Sequence, residues 1–411
     1  MKKLRILFLT LMMLLCACAA NTPPDEPTSE PAAGRKPTVS LPCFVPQLYP
    51  DEKSAAIPPD PREETVNALL TSMSIEEKVG QLFFVRCPSS GQVEKIQEYH
   101  LGGYLLFARD FKNSAGEWLT EEEFLAKIDA WQNASTIPLL IGVDEEGGSV
   151  ARASRNPNLF PAKRKSPQTI YKNGGMEAII QDTFNVSSRL LALGINVNFA
   201  PVADISVDPS DFIYDRTIGL DAAATADYIA SVVAQMNQCR IGDETRAIGS
   251  VLKHFPGYGS NVDTHTGIAV DERPMETFAQ SEFLPFAAGI CSGAGAVLIS
   301  HNIVTCMDAA LPASLSAEVH RVLRQELGFQ GVILTDDLAM DAVKAYAEGG
   351  RAAVLALLAG NSMIVTTDFE TQIGEVLAAL ESGELSTQII DTAVRYVLYW
   401  KYDLGLLGET T

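Results

Sequence analysis

From about Val66 onward the chain alternates two hydrophobic rhythms. Short, almost uninterrupted apolar runs occupy Gln81–Val85, Gly103–Phe107, Pro138–Val143, Asn196–Pro201, Ser250–His254, Ala296–Ser300, Gly331–Leu334 and Ser362–Thr366. Between most of them lie longer stretches, Glu121–Gln132, Met176–Leu193, Ala222–Met236, Met275–Ala288, Ser316–Leu327 and Ala352–Leu358, whose apolar positions mostly recur with a helical period. Gln372–Leu380 and Thr387–Trp400 add two closing helices. Ahead of the first run, Ser74 and Glu77 in "SIEEKVGQLFFV" have the spacing of a capping box, which predicts a helix start there. Strands without polar alternation are buried on both faces, as in a parallel sheet covered by helices. Eight such units in about 290 residues predict an α/β fold, a single (β/α)8 barrel. An open doubly wound sheet is the alternative, weakened because no GxGxxG follows the first strand.

The first sixty residues show neither rhythm. Lys2, Lys3 and Arg5 precede the apolar run Ile6–Leu15, which is far shorter than the roughly 20 residues of a spanning helix. With "LCAC" after it, the stretch has the layout of a secretory signal ending in a bacterial lipobox, and Cys18, preceded by the small Ala17, is the expected lipid-bearing residue. Eleven of the 22 prolines then fall between Asn21 and Pro61. Such a segment lacks the apolar surface to fold and stays extended. The chain therefore divides into a signal at 1–18, a tether at 19–62 and a barrel at 63–411, with an extracytoplasmic, membrane-anchored location expected.

The 411 residues are 47% hydrophobic and carry a formal net charge of −20, with a pI near 4.7. That field repels polyanions and no basic patch offsets it, so nucleic acid is excluded as a partner. Without Cys16 and Cys18, five cysteines remain, Cys43, Cys87, Cys239, Cys291 and Cys306, an odd number without close spacing. They form no disulfide framework or zinc ribbon; buried thiols are expected, with room for one bridge.

Chemistry in a barrel gathers at the carboxyl ends of the strands. The third run leads into "VDEEGGSVAR", with Asp144, Glu145, Glu146 and Arg152; the fourth reaches Asp204, with Asp215 and Arg216 beyond it. The fifth ends in Lys253 and His254, the sixth at His301, and the seventh at Asp336 and Asp337. Each alone reads as a helix cap or a surface charge; five in succession describe a polar pocket. Glycosidic bond cleavage suits it, needing an ionised carboxylate and a proton donor. Asp336 or Asp337 supplies the first. For the second, only five histidines exist, and His254 and His265 both lie in "KHFPGYGSNVDTH". There Asp263 stands two residues before His265, placed to orient it and stabilise its protonated form. A zinc site from His254, His265, His301 and Asp336 is the competing use of these groups, but HxH and HExxH spacings are missing. No metal or cofactor is expected.

These motifs, with "GGYLLFARD", "GINVNFAPVAD", "DRTIG", "LPASLS" and "LRQELGFQGVILTDDLAM", resemble glycoside hydrolase family 3, specifically its β-N-acetylglucosaminidase branch. The resemblance runs from "SIEEKVGQLFFV" to "YWKYDLGLL". It implies a retaining double displacement with Asp336 as nucleophile and His265, paired with Asp263, as acid/base. It also implies sugar binding by Asp144, Arg152, Arg216, Lys253 and His254. Two departures bear on specificity: Tyr258 stands where the family has histidine, and Glu145 and Ser149 replace the common glutamine and arginine.

The reading is a monomeric, tethered exo-β-N-acetylglucosaminidase acting on peptidoglycan fragments or chito-oligosaccharides. Its rivals are a family 3 β-glucosidase or β-xylosidase and a non-catalytic sugar-binding lipoprotein.

Overall fold

The computed structural model describes residues 60–241, 245–262, 267, 269–340, 343, 345–347 and 351–408. The signal, Cys18, nearly all of the tether, and Asp263 and His265 lie outside the described residues.

The eight apolar runs become eight parallel strands: β1 (Phe83–Arg86), β2 (Gly103–Leu106), β3 (Leu140–Val143), β4 (Val197–Asn198), β5 (Gly249–Phe255), β6 (Ala296–Ile299), β7 (Val332–Thr335) and β8 (Ile364–Thr366). They pair in the order β7, β6, β5, β4, β3, β2, β1, β8. One isolated parallel bridge, Leu334 to Met363, joins the two ends, so the barrel is nearly closed. All four residues of β2, β3, β6 and β7 are buried, which explains why their sequences show no polar alternation. The expected (β/α)8 architecture is what forms.

The helices are α1 (Arg62–Ser72), α2 (Ile75–Gln81), α3 (Gln92–Tyr99), α4 (Glu121–Ala134), α5 (Pro167–Ala192), α6 (Ala222–Gln238), α7 (Phe283–Cys291), α8 (Ala352–Ala359), α9 (Phe369–Glu381) and α10 (Thr387–Asp403). Helices α1 and α3 are not among those expected, and the expected Ser316–Leu327 forms as Ala317–Arg321 followed by a π-turn at Val322–Glu326. The capping box holds, with Ser74 and Glu77 each accepting from the other's backbone N–H. It drives α2 through Gln81, so the first strand starts at Phe83, two residues later than the apolar run suggests. In α5, Gly174 and Gly175 leave helical geometry, and the part before them was not visible as a stripe. The predicted helix Met275–Ala288 contains a π-turn at Phe278–Glu282 ahead of α7.

The barrel interior is filled by rings. Phe84 and Phe199 meet edge to face at 5.2 Å between centroids. Both fit because residue 142 is glycine: an added Cβ would lie 2.6 Å from Phe84 Cζ and 2.8 Å from Phe199 Cε2. Under the strands, α10 brings Trp400 against Gly249 at the start of β5, where a Cβ would stand 2.7 Å from the indole. The neighbouring Lys401 is fully buried, its ammonium donating to Gln81 Oε1 at 2.6 Å. Arg62 of α1 bonds Asp403 of α10 at 2.8 Å, fixing the start of α1 to this same side. Cys87 and Cys239 are buried free thiols, Cys306 is free and partly exposed, and Cys291 is disulfide-bonded. Among the described residues no helix is long and apolar enough to cross a membrane.

Candidate active site

The carboxyl ends of the strands surround a cavity of about 520 Å³, a size that suits a small ligand. Of the expected site residues, Asp144, Arg152, Arg216, Lys253, His254 and Asp336 all line it. They arrive from β3, β5 and β7 and the loops after β3 and β4, elements far apart in sequence that the barrel closure brings together.

An alternating chain of charges holds one wall. Lys253, buried on β5, donates to Asp144 Oδ1 at 2.7 Å and pairs with Glu146 Oε1 at 2.6 Å. Arg216 grips the same Glu146 with Nε at 3.0 Å and Nη2 at 2.8 Å. Its Nη2 also lies 3.0 Å from His254 Nε2. A guanidinium only donates, so Nε2 must accept and the ring proton is assigned to Nδ1. That nitrogen faces Asp204 Oδ2 at 2.7 Å. Burial alone would raise the Glu146 carboxyl, but Arg216 and Lys253 outweigh it and hold it far below the usual glutamate range. Burial would likewise lower the Lys253 amine, yet Asp144 and Glu146 keep it above its ordinary value. Both ends of this pair stay ionised at neutral pH, so the wall presents fixed charge.

Glu146 and Asp204 organise the site, and the sequence reading saw them only as charged strand ends. The sequence signal for them was their place at strand ends next to others that carry Arg216 and Lys253; that they must be paired follows from their burial, at 3% exposure or less. Glu145, by contrast, faces away from this network. Fully buried, it accepts from the Arg152 and Ser154 backbone N–H groups and the Ser154 hydroxyl, shaping the loop after β3. Arg152 reaches the cavity from that loop and shares the Phe107 ring with Arg86, at 5.6 and 4.3 Å from its centroid. Phe107, Phe212 and Met340 supply apolar walls that were not foreseen; Phe212 opens the apolar triplet Phe212–Ile213–Tyr214 between two aspartates in the loop after β4.

Asp336 and Asp337 both line the cavity, and each has hydrogen-bond partners. Asp337 Oδ1 accepts from the Ala339 and Thr367 backbone N–H groups and Oδ2 from the Thr367 hydroxyl, so both oxygens tie down loops. Asp336 reaches the cavity from the end of β7, with Oδ1 accepting from the Asp337 N–H at 2.8 Å. His301 is completely buried, with Nδ1 2.8 Å from Ser314 Oγ and Nε2 3.1 Å from the Asp337 carbonyl; it braces the loop after β7 and does not line the cavity. Tyr258, at the family's histidine position, packs between His254 and Phe212 at 5.7 Å from each ring.

A family model described as the glycosyl hydrolase family 3 N-terminal domain matches residues 74–399. The chain belongs to glycoside hydrolase family 3. Curated β-hexosaminidases are similar over most of it: one from Xylella fastidiosa is 30% identical across 78% of this chain and 91% of its own. One from Nitrosomonas eutropha is 30% identical across 74% and 83%. Among solved structures, a family 3 β-N-acetylglucosaminidase from a Paenibacillus species superposes with a TM-score of 0.73 at 29% identity. The match covers 83% of this chain and 64% of that longer one. A β-N-acetylhexosaminidase from Beutenbergia cavernae gives 0.69 at 27% identity, covering 80% and 98%. As a family 3 member with such relatives along most of its length, the protein is a glycoside hydrolase.

Proposed function

We propose that this hydrolase is a retaining exo-β-N-acetylglucosaminidase that removes terminal β-linked N-acetylglucosamine from peptidoglycan fragments or chito-oligosaccharides. The observation that carries the reading is the shared cavity at the strand ends: Asp336, at the end of β7, lines it together with Asp144, Lys253 and Arg216, the charged wall that Glu146 ties together. Sugars are recognised by such a wall through hydrogen bonds to hydroxyls, with apolar rings against the sugar faces. In the first step an Asp336 oxygen bonds to the anomeric carbon as the bond to the leaving oxygen breaks, and that oxygen takes a proton from His265. In the second, water gives a proton to His265 while its oxygen displaces Asp336, regenerating both groups. Asp263 orients His265 throughout; these two assignments rest on the sequence resemblance.

The test is turnover of a panel of aryl glycosides by the wild type and Asp336→Asn. Preference for the N-acetylglucosaminide, abolished in the variant, is expected; wild-type turnover by Asp336→Asn sinks the mechanism, and glucoside preference sinks the specificity. We further propose that Cys18 carries lipid and anchors the enzyme outside the cytoplasm. Labelling cells with a fatty-acid analogue tests it: label must disappear in Cys18→Ser.

A further inference from the structure

Asp263 and His265 follow β5 in the chain, and continuously described structure resumes at Ala269. The described flanks on either side of them are held by a cluster outside the cavity. At the start, the Tyr258 N–H donates to Asp204 Oδ1 at 2.7 Å, the same carboxylate that holds His254. The Gly257 carbonyl accepts from Arg273 Nη2 at 3.0 Å. Asn261 Nδ2 donates to Asp271 Oδ2 at 2.8 Å, reaching across to the far flank. At the end, Val270–Asp271 pairs in parallel with Ile303–Val304, and the Asp271 carbonyl accepts from both Thr305 donors.

Arg273 joins the two flanks. Its Nε and Nη2 bond Asp271, its Nη1 bonds Glu282 Oε1 at 2.5 Å, and its guanidinium lies 4.7 Å over Phe278. Gly257 and Gly259 have positive φ and let the chain pass close: a Cβ on Gly257 would meet Glu282 Oε2 at 2.5 Å, and one on Gly259 would collide with the Arg273 guanidinium. Phe278 and Glu282 belong to the π-turn before α7, a local irregularity common at functional sites.

We infer that Arg273, clamped between Asp271 and Glu282, is a positioning residue that sets the span of the acid/base loop, a role that rests on the proposed assignment of His265. The cluster is poorly suited to stabilising the fold. Burial lifts the Glu282 carboxyl to about 7 despite Arg273, and Glu282 Oε2 is buried with no hydrogen-bond partner among the described residues. A buried ion pair with an unmet oxygen gives little net stability; its geometry is what it contributes.

The test separates proton donation from everything else through the leaving group. In the full chain, kcat/KM is measured for Arg273→Met, Arg273→Lys, Glu282→Gln and His265→Ala. One substrate is N,N′-diacetylchitobiose, whose sugar leaving group needs a proton; the other is a dinitrophenyl N-acetylglucosaminide, which does not. Arg273→Met and Glu282→Gln are expected to lose about tenfold or more on the disaccharide, part of the ~10²–10⁴ a general acid supplies, and less than about twofold on the activated substrate. Arg273→Lys should recover part of the loss. Equal losses on both substrates, or none, overturn the inference while His265→Ala still discriminates. If His265→Ala itself shows no discrimination, the acid assignment fails and the inference with it. Glu282→Gln preserves shape, so it decides the matter if Arg273→Met does not fold.

Discussion

Lys401 offers a quantitative check on the interior. It is fully buried beneath the barrel, with Gln81 Oε1 as its partner at 2.6 Å, and burial lowers its amine from 10.5 to about 7. Between those values the unfolded chain holds a proton that the folded chain has released, so stability must rise with pH through this window. At roughly 1.4 kcal/mol per tenfold change in proton affinity, the ammonium costs folding about 5 kcal/mol at pH 6 and about 2 kcal/mol at pH 9. Lys401→Met removes that cost and leaves Gln81 Oε1 unmet, a penalty of about 1–3 kcal/mol. The variant is therefore expected to be more stable than wild type by about 2–4 kcal/mol at pH 6 and nearly equal to it at pH 9. Urea unfolding of both proteins at pH 6, 7.5 and 9 measures the difference. A gap that stays constant with pH, or a variant weaker than wild type at pH 6, refutes the reasoning.

Three other substitutions test the site and its scaffold. Asp337→Asn should cost about 1–2 kcal/mol by loosening Thr367 and Ala339, and should retain substantial turnover, in contrast to the loss of about three orders of magnitude expected for Asp336→Asn; kcat measured beside melting temperature distinguishes them. Glu146→Gln leaves Arg216 and Lys253 sharing an uncharged partner, so about 3–5 kcal/mol of stability should go and KM should rise, read by denaturation and steady-state kinetics. Gly142→Ala forces a Cβ to within 2.6 Å of Phe84 Cζ and should cost about 1–3 kcal/mol in unfolding free energy without altering KM.

The strands were legible because burial on both faces leaves an unbroken apolar run, and β2, β3, β6 and β7 are buried at every residue. Helix α3 was not, because it is short, buries only Ile96 and starts at a left-handed Gly91, so its stripe is too thin to register. The strand-end charges pointed to the pocket, since polar residues closing apolar runs must meet one another or water. What sequence cannot give is the pairing: Glu146 and Arg216 are seventy residues apart, and only barrel closure decides that they share a hydrogen bond. Asp336 and Asp337 are adjacent, and only the fold brings Asp337 to its partner Thr367, thirty residues further on. Single side chains in the cavity wall, such as Arg86 stacked on Phe107, carry no motif at all.

The bond between Arg62 and Asp403 also separates two territories of the molecule. It seats the start of the described chain beside α10, whose Trp400 packs on the opening residue of β5, on the pole opposite the cavity. The described residues 60 to 62 therefore sit at the pole where the strands begin, away from the cavity at their carboxyl ends. Breaking the Arg62–Asp403 bond therefore strikes the foundation of the barrel and leaves its rim intact.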